Sequence, residues 1–177
     1  MSAVRLATPD DAESIAAIYA PYVRDTAISF DEEAPTPGAM AHKIASTLEN
    51  YPYLVFDEGD SVLGFAYGSL HRAKPAYRWS VETTVYAAQH LHRRGIGTAL
   101  YAELLDILTR QGFHAAFAGI VPPNQGSVGL HEAMGFVYIG TFAEIGFKHG
   151  RFHDLGWWRR TLAEGPPRRD PVPFNSL

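Results

Sequence analysis

Val85-Tyr86-Ala87, followed after a short loop by His92-Arg93-Arg94-Gly95-Ile96-Gly97-Thr98, is the stretch on which the fold turns. Residues 80–86 alternate and are rich in β-branched and aromatic side chains, the composition of a strand. From Gly95 onward Leu100, Leu104, Leu105 and Leu108 share one helical face, and Gly112 closes the segment. The glycines therefore stand where a strand gives way to a helix. Glycine at a helix start lets the backbone approach an anion closely, and unpaired first-turn N–H groups with the helix dipole favour a phosphate there. The stretch reads as a pyrophosphate cradle. No Gly-Lys-Ser/Thr follows, as a Walker A loop requires, and the third glycine of a dinucleotide fingerprint is missing. Taken alone, Arg-Gly-Ile-Gly is also compatible with a simple tight turn.

Outward from this junction, residues 53–56 and 62–70 read as strands joined across Glu58-Gly59-Asp60-Ser61, a hairpin turn with the glycine that positive φ needs. Before them, a strand at residues 4–7 meets Thr8-Pro9-Asp10-Asp11, an N-cap, first-turn proline and acidic first turn. Ile15, Ile18, Tyr19 and Tyr22 then form an amphipathic stripe. Residues 26–30 are expected as a loop or short extended piece, and Pro35-Thr36-Pro37 precedes a second helix ending near Asn50. On the C-terminal side a strand (115–121), a short helix (126–134, ended by Gly135) and a strand (136–143) follow; Lys148-His149-Gly150-Arg151 turns into a last strand through Trp157 and Trp158. The pattern predicts an α/β fold with a mixed central sheet flanked by helices. Residues 1–164 form one domain in this reading, and the Pro- and Arg-rich residues 165–177 a loose surface tail.

Bulk properties narrow the classes. A chain of 177 residues, 46% apolar, suits one compact domain. A net charge of -4 without a basic block leaves no footprint for nucleic acid. Neither a signal-peptide core nor an apolar run of membrane-spanning length stands out, so a soluble, cytoplasmic protein with no membrane partner is expected. With no cysteine, thiolate zinc sites and cysteine nucleophiles are excluded.

Residues 92–97 resemble the Gln/Arg-x-x-Gly-x-Gly/Ala motif of the GNAT N-acetyltransferase superfamily, with His92 in the first position. Asn124, Ser127 and Leu130-His131-Glu132-Ala133-Met134-Gly135-Phe136 are similar to the second stretch of that superfamily. Tyr77-Arg78-Trp79-Ser80-Val81-Glu82 and Phe147-Lys148-His149-Gly150-Arg151-Phe152-His153-Asp154 resemble the phosphinothricin and methionine sulfoximine (sulfone) acetyltransferase group. The resemblance implies a GNAT fold and acetyl-CoA as co-substrate. It assigns the pyrophosphate to Arg93, Arg94, Gly95, Ile96, Gly97 and Thr98, the pantetheine arm to the backbone of Val85, Tyr86 and Ala87, and the other side of the cofactor to Asn124 and Ser127. It further implies a small, zwitterionic glutamate- or methionine-like amine as substrate, and a homodimer in which Lys148 and Arg151 reach a neighbouring site.

Amine acetylation needs a neutral amine, a polarised thioester carbonyl and a proton for the leaving thiolate. Glu82 shares a strand face with Ser80, Thr84 and Tyr86, and the resemblance makes it the general base, directly or through water. For His131 two roles stand open: proton donor to the thiolate, or a helix histidine bonded to backbone or substrate. Tyr86 and Tyr138 are alternative donors. Arg72 and Arg78 are expected to bind the substrate's anionic groups, with Phe30 and Tyr77 on its apolar side. The eight histidines carry no matching carboxylate pattern, so no metal is expected. Rival readings are a peptide N-terminal acetyltransferase and a non-catalytic acyl-CoA-binding module.

Overall fold

A computed structural model describes residues 2–59, 61–91 and 94–177. In chain order the elements are β1 (Ser2–Leu6), α1 (Ala12–Asp25), α2 (Pro37–Asn50), β2 (Tyr53–Glu58), β3 (Ser61–Leu70), β4 (Ser80–Ala87), α3 (Ile96–Gln111), β5 (Ala115–Ile120), α4 (Gln125–Ala133), β6 (Val137–Lys148) and β7 (Arg151–Thr161), with short 3-10 turns between some of them. The strands form one seven-stranded sheet in the order β1-β2-β3-β4-β5-β7-β6. Pairing is antiparallel throughout except between β4 and β5, so the sheet is mixed, as the sequence pattern predicts.

Alternation along the strands builds two cores. Tyr53, Val55 and Phe65 point to one face, where they are buried with Ile15, Val23, Met40 and Ile44 of α1 and α2. Leu54, Ala66 and Val81 point to the other, against Leu100, Leu104 and Leu108 of α3. The period of two in the strands and the four-residue spacing in the helix meet in the same layer. α4 also lies on the α3 face, with Leu130 packed so closely that a methyl on Gly97 would meet its Cδ2 at 2.7 Å.

Two expectations are corrected. The strand expected at residues 136–143 runs on to Lys148, because a bulge between Phe142 and Gly146 absorbs the break in alternation. There Glu144 takes φ 51 and its N–H donates to Asp154 Oδ1 at 2.8 Å. The residues 165–177, expected to be loose, lie against the body. Buried Gln111 donates from Nε2 to the carbonyls of Asn50 and Val172, both at 2.8 Å, and Val172 N–H donates back to Gln111 O at 2.9 Å. Trp79 Nε1 donates to Arg169 O at 3.0 Å, and Phe174 packs on the α3 core.

Gly64 of β3 shows how tightly the two layers meet. A methyl there would lie 2.7 Å from Ile96 Cγ2 and 2.9 Å from the Tyr86 carbonyl oxygen, which as backbone cannot swing aside. Gly64→Ala should lower stability by roughly 1–3 kcal/mol, the usual cost of overpacking, read as a lower urea midpoint with an unchanged slope.

Candidate active site

β4 and β5 pair only from Ser80↔Ala115 to Glu82↔Phe117, and beyond Glu82 they part. Residues 83–87 of β4 remain strand-paired to β3 alone, leaving a strand edge open along the gap as far as Ala87, whose carbonyl accepts from the Tyr22 hydroxyl at 2.6 Å. A cavity of about 640 Å³ fills the wedge. Of the residues expected to hold the cofactor, Val85, Tyr86, Ala87, Arg94, Gly95, Ile96, Gly97, Thr98, Asn124 and Ser127 all line it. Arg93, like His92, lies outside the described residues.

The N-terminus of α3 closes one end. Gly95 takes φ 78, a left-handed turn that glycine adopts without strain, and starts the helix. Its carbonyl accepts from Ala99 N–H at 3.0 Å, so the N–H groups of Ile96, Gly97 and Thr98 precede that helical bond. Together with the dipole of this 16-residue helix they form a positive, donor-rich rim. Arg94 pairs with Glu58 at 3.1 Å beside it. Across the wedge, Asn124 caps α4 by accepting from Ser127 N–H at 3.2 Å.

His131 lies beneath α4, buried, with both ring nitrogens engaged. Nδ1 is 2.7 Å from Ser127 O, a carbonyl that only accepts, so the proton sits on Nδ1. Nε2 is left as the acceptor facing the Tyr101 hydroxyl at 2.8 Å, and that hydroxyl lies 3.2 Å from Thr83 Oγ1. Burial holds the imidazole below its ordinary pKa, against a smaller opposing pull from the Ser127 carbonyl. Neutral His131 thus carries no proton on Nε2 to deliver to the cavity, which removes the geometric support for the acid role. The alternative donors fare no better: burial pushes the Tyr86 hydroxyl well above the usual tyrosine range, and exposed Tyr138 bonds Thr141 on β6.

Glu82 stands where the strands part, next to the cavity lining, in a second cluster. Its Oε1 is 2.9 Å from His71 Nδ1 and 3.5 Å from Arg72 NH1. The His71 ring stacks on Phe117 at 4.5 Å, Tyr77 meets its edge at 6.1 Å, and the Arg72 guanidinium lies over Trp157 at 5.8 Å. Arg72 and, through His71, Tyr77 are therefore gathered at Glu82. Arg78 is not: its Nε donates to Asp170 at 2.9 Å and its guanidinium stacks over Trp79 at 4.0 Å. Phe30 packs instead over Gly146 of β6. Lys148 is turned into its own chain, donating to Val23 O at 2.6 Å and Ser29 O at 2.7 Å.

Sequence reasoning missed His71, Tyr101 and Phe117. The signal for His71 was present: Ser69 opposes Glu82 across β3 and β4, so His71, two residues on, is its diagonal neighbour. Phe117 needed the β4–β5 register, which no local pattern supplies.

His131 makes stability depend on pH. An imidazole held neutral by the fold binds fewer protons than in the unfolded chain, so stability should fall as pH drops below about 6.5 and go on falling until the folded-state pKa is passed. Replacing it should remove that component: the stability difference between wild type and His131→Gln, from urea unfolding, should shrink between pH 7.5 and 5.

An acetyltransferase (GNAT) domain model matches residues 4–157. The phosphinothricin N-acetyltransferase of Streptomyces coelicolor is 44% identical over 163 residues, 90% of this chain and 95% of that one. The L-methionine sulfoximine/L-methionine sulfone acetyltransferase of Salmonella typhimurium is 33% identical, covering 91% of this chain and 95% of that one. The crystal structure of a phosphinothricin acetyltransferase from Sinorhizobium meliloti in complex with AcCoA superposes with a TM-score of 0.90 at 35% identity, over 98% of this chain and 96% of that one. With the wedge, the glycine-initiated helix and the sheet order all in place, the chain belongs to the GNAT acetyltransferase family.

Proposed function

We propose that this protein transfers the acetyl group of acetyl-CoA to the α-amino group of a small, zwitterionic glutamate- or methionine-like compound of the phosphinothricin and methionine sulfoximine type. The observation that carries the proposal is the wedge. It has an anion-binding helix end and an open strand edge on one side, and a carboxylate with an arginine where it begins. The relatives named for phosphinothricin and methionine sulfoximine chemistry support the substrate class.

In this mechanism the first-turn N–H groups of α3 hold the pyrophosphate, and the free edge of residues 83–87 pairs with the pantetheine amides as an added strand would. Acetyl-CoA supplies the thioester. Glu82 takes a proton from the substrate ammonium, and the neutral amine adds to the thioester carbonyl. The C–S bond breaks, the nitrogen gives up its second proton to water, and the departing thiolate takes a proton back from water, so that amide and CoA thiol leave. Arg72 is exposed enough to turn its fork toward the substrate's carboxylate or phosphinate. His131, fixed and neutral, shapes the cavity floor.

The same reading includes a second copy of the chain. β6 is an edge strand, and Val137, Ile139, Ile145 and Phe147 on it, with Phe152 on β7, are exposed. Trp157 and Trp158, on the neighbouring β7, are buried. A patch of this kind on one edge is self-complementary under a twofold axis. The edge-strand surface is the proposed homodimer contact, so sedimentation at micromolar concentration should give twice the chain mass, and a monomer would remove this part of the proposal. A cytoplasmic location goes with an acetyl donor made inside cells.

The deciding experiment measures CoA thiol release from acetyl-CoA with phosphinothricin, methionine sulfoximine, methionine sulfone, ordinary amino acids and a short peptide. Turnover should be selective for the first three, and selective turnover of the peptide would overturn the substrate class. Glu82→Gln should lower kcat by about 10²- to 10⁴-fold, the usual weight of a general base, with acetyl-CoA affinity nearly unchanged; equal loss of both would make Glu82 structural.

A further inference from the structure

The proposed base does not stand alone. His71, the first residue after β3, is packed on one face and two edges: its ring lies 9° from parallel to Phe117, and Trp157 and Tyr77 each meet it at 81°. Only 13% of its side chain is exposed, against 29% for Glu82. The imidazole therefore has one orientation, which aims Nδ1 at Glu82 Oε1 at 2.9 Å. A carboxylate oxygen only accepts, so Nδ1 carries the proton whether the ring is neutral or charged. Arg72 NH1 approaches the same oxygen, at 3.5 Å. Both donors thus engage Oε1, and among the described residues none bonds Oε2.

A glutamate on a strand has three rotatable side-chain bonds, and a base is effective only when its oxygen is held within reach of the proton it takes. We infer that His71 is a positioning residue: clamped by Phe117, Trp157 and Tyr77, it fixes Glu82 through Oε1 so that Oε2 is the oxygen presented to the substrate ammonium. The inference rests on Glu82 being the base. In the step itself the ammonium N–H bond breaks and Glu82 Oε2 gains the proton. The freed nitrogen lone pair adds to the thioester carbonyl, the C–S bond breaks, the nitrogen's second proton passes through water to the departing thiolate, and Glu82 returns its own proton to water after product leaves. His71 keeps its Nδ1 proton throughout. Arg72 cannot substitute for it, being longer, more exposed and farther from Oε1.

Two replacements separate orientation from packing. His71→Phe keeps a flat ring on Phe117 but offers no donor, whereas His71→Asn gives up the stack but places an amide N–H close to where Nδ1 lies. With acetyl-CoA and methionine sulfoximine as probes, His71→Phe should lower kcat by about 10- to 100-fold while leaving the KM for acetyl-CoA within about twofold, and His71→Asn should recover most of the lost kcat. Placed on Glu82→Gln, His71→Phe should cause no further loss, because the group it orients is already gone. Wild-type kcat in His71→Phe, alongside an impaired Glu82→Gln, would overturn the inference and leave the base in place. An equal loss from His71→Phe in both backgrounds, or a loss that Asn does not restore and that tracks a lower melting temperature, would also overturn it. Full activity in Glu82→Gln would instead remove the base, and the role of His71 with it.

Discussion

The parting of β4 from β5 after Glu82 is the constraint on which the molecule depends. Two adjacent parallel strands normally bond along their whole shared length, and separating them leaves backbone N–H and C=O groups without partners, at a cost comparable to lost hydrogen bonds. Here three residue pairs are made and the next five residues of β4 are left to β3 on one side only. The opened edge is tolerable because it faces a cavity that water or a ligand can fill. Everything proposed for catalysis hangs on that geometry.

The wedge also divides labour between the two faces of the sheet. On the α3 and α4 face, main-chain groups dominate: a helix start, a capped α4 and a histidine locked by Ser127 and Tyr101. On the other face the Glu82 cluster is made of side chains, with His71, Arg72 and Tyr77 supplied by the segment that follows β3. Backbone recognition tolerates side-chain replacement, so His92 can occupy the first position of the glycine motif. Side-chain recognition does not, so in the proposed mechanism substrate choice rests on the segment between β3 and β4.

Much of this was legible in the sequence, and the division follows the range of the interactions involved. Element order, the hairpin at Gly59, the start of α3 at Gly95 and its end at Gly112 all rest on contacts within a few residues, where periodicity and glycine chemistry act. Ten of the residues expected around the cofactor come from motifs, and the fold gathers them on one cavity. What was missed depends on partners far along the chain. His71 finds Phe117 and Trp157 only through the sheet order. Arg78 looked like a neighbour of Glu82 because it is four residues away, yet its partner Asp170 is 92 residues away. The continuation of β6 past Ala143 needed a bulge stabilised by Asp154 from the opposite strand.

The last residues of the chain act as a brace. Arg169 and Asp170 hold Trp79 and Arg78, the two residues immediately before β4, while Val172 is locked to Gln111 at the end of α3. Strain applied to the C-terminus is therefore carried to the root of the strand that bears Glu82. Residues 169–172 are thus mechanically coupled to the Glu82 cluster, and a fusion joined after them needs enough slack to leave that brace seated.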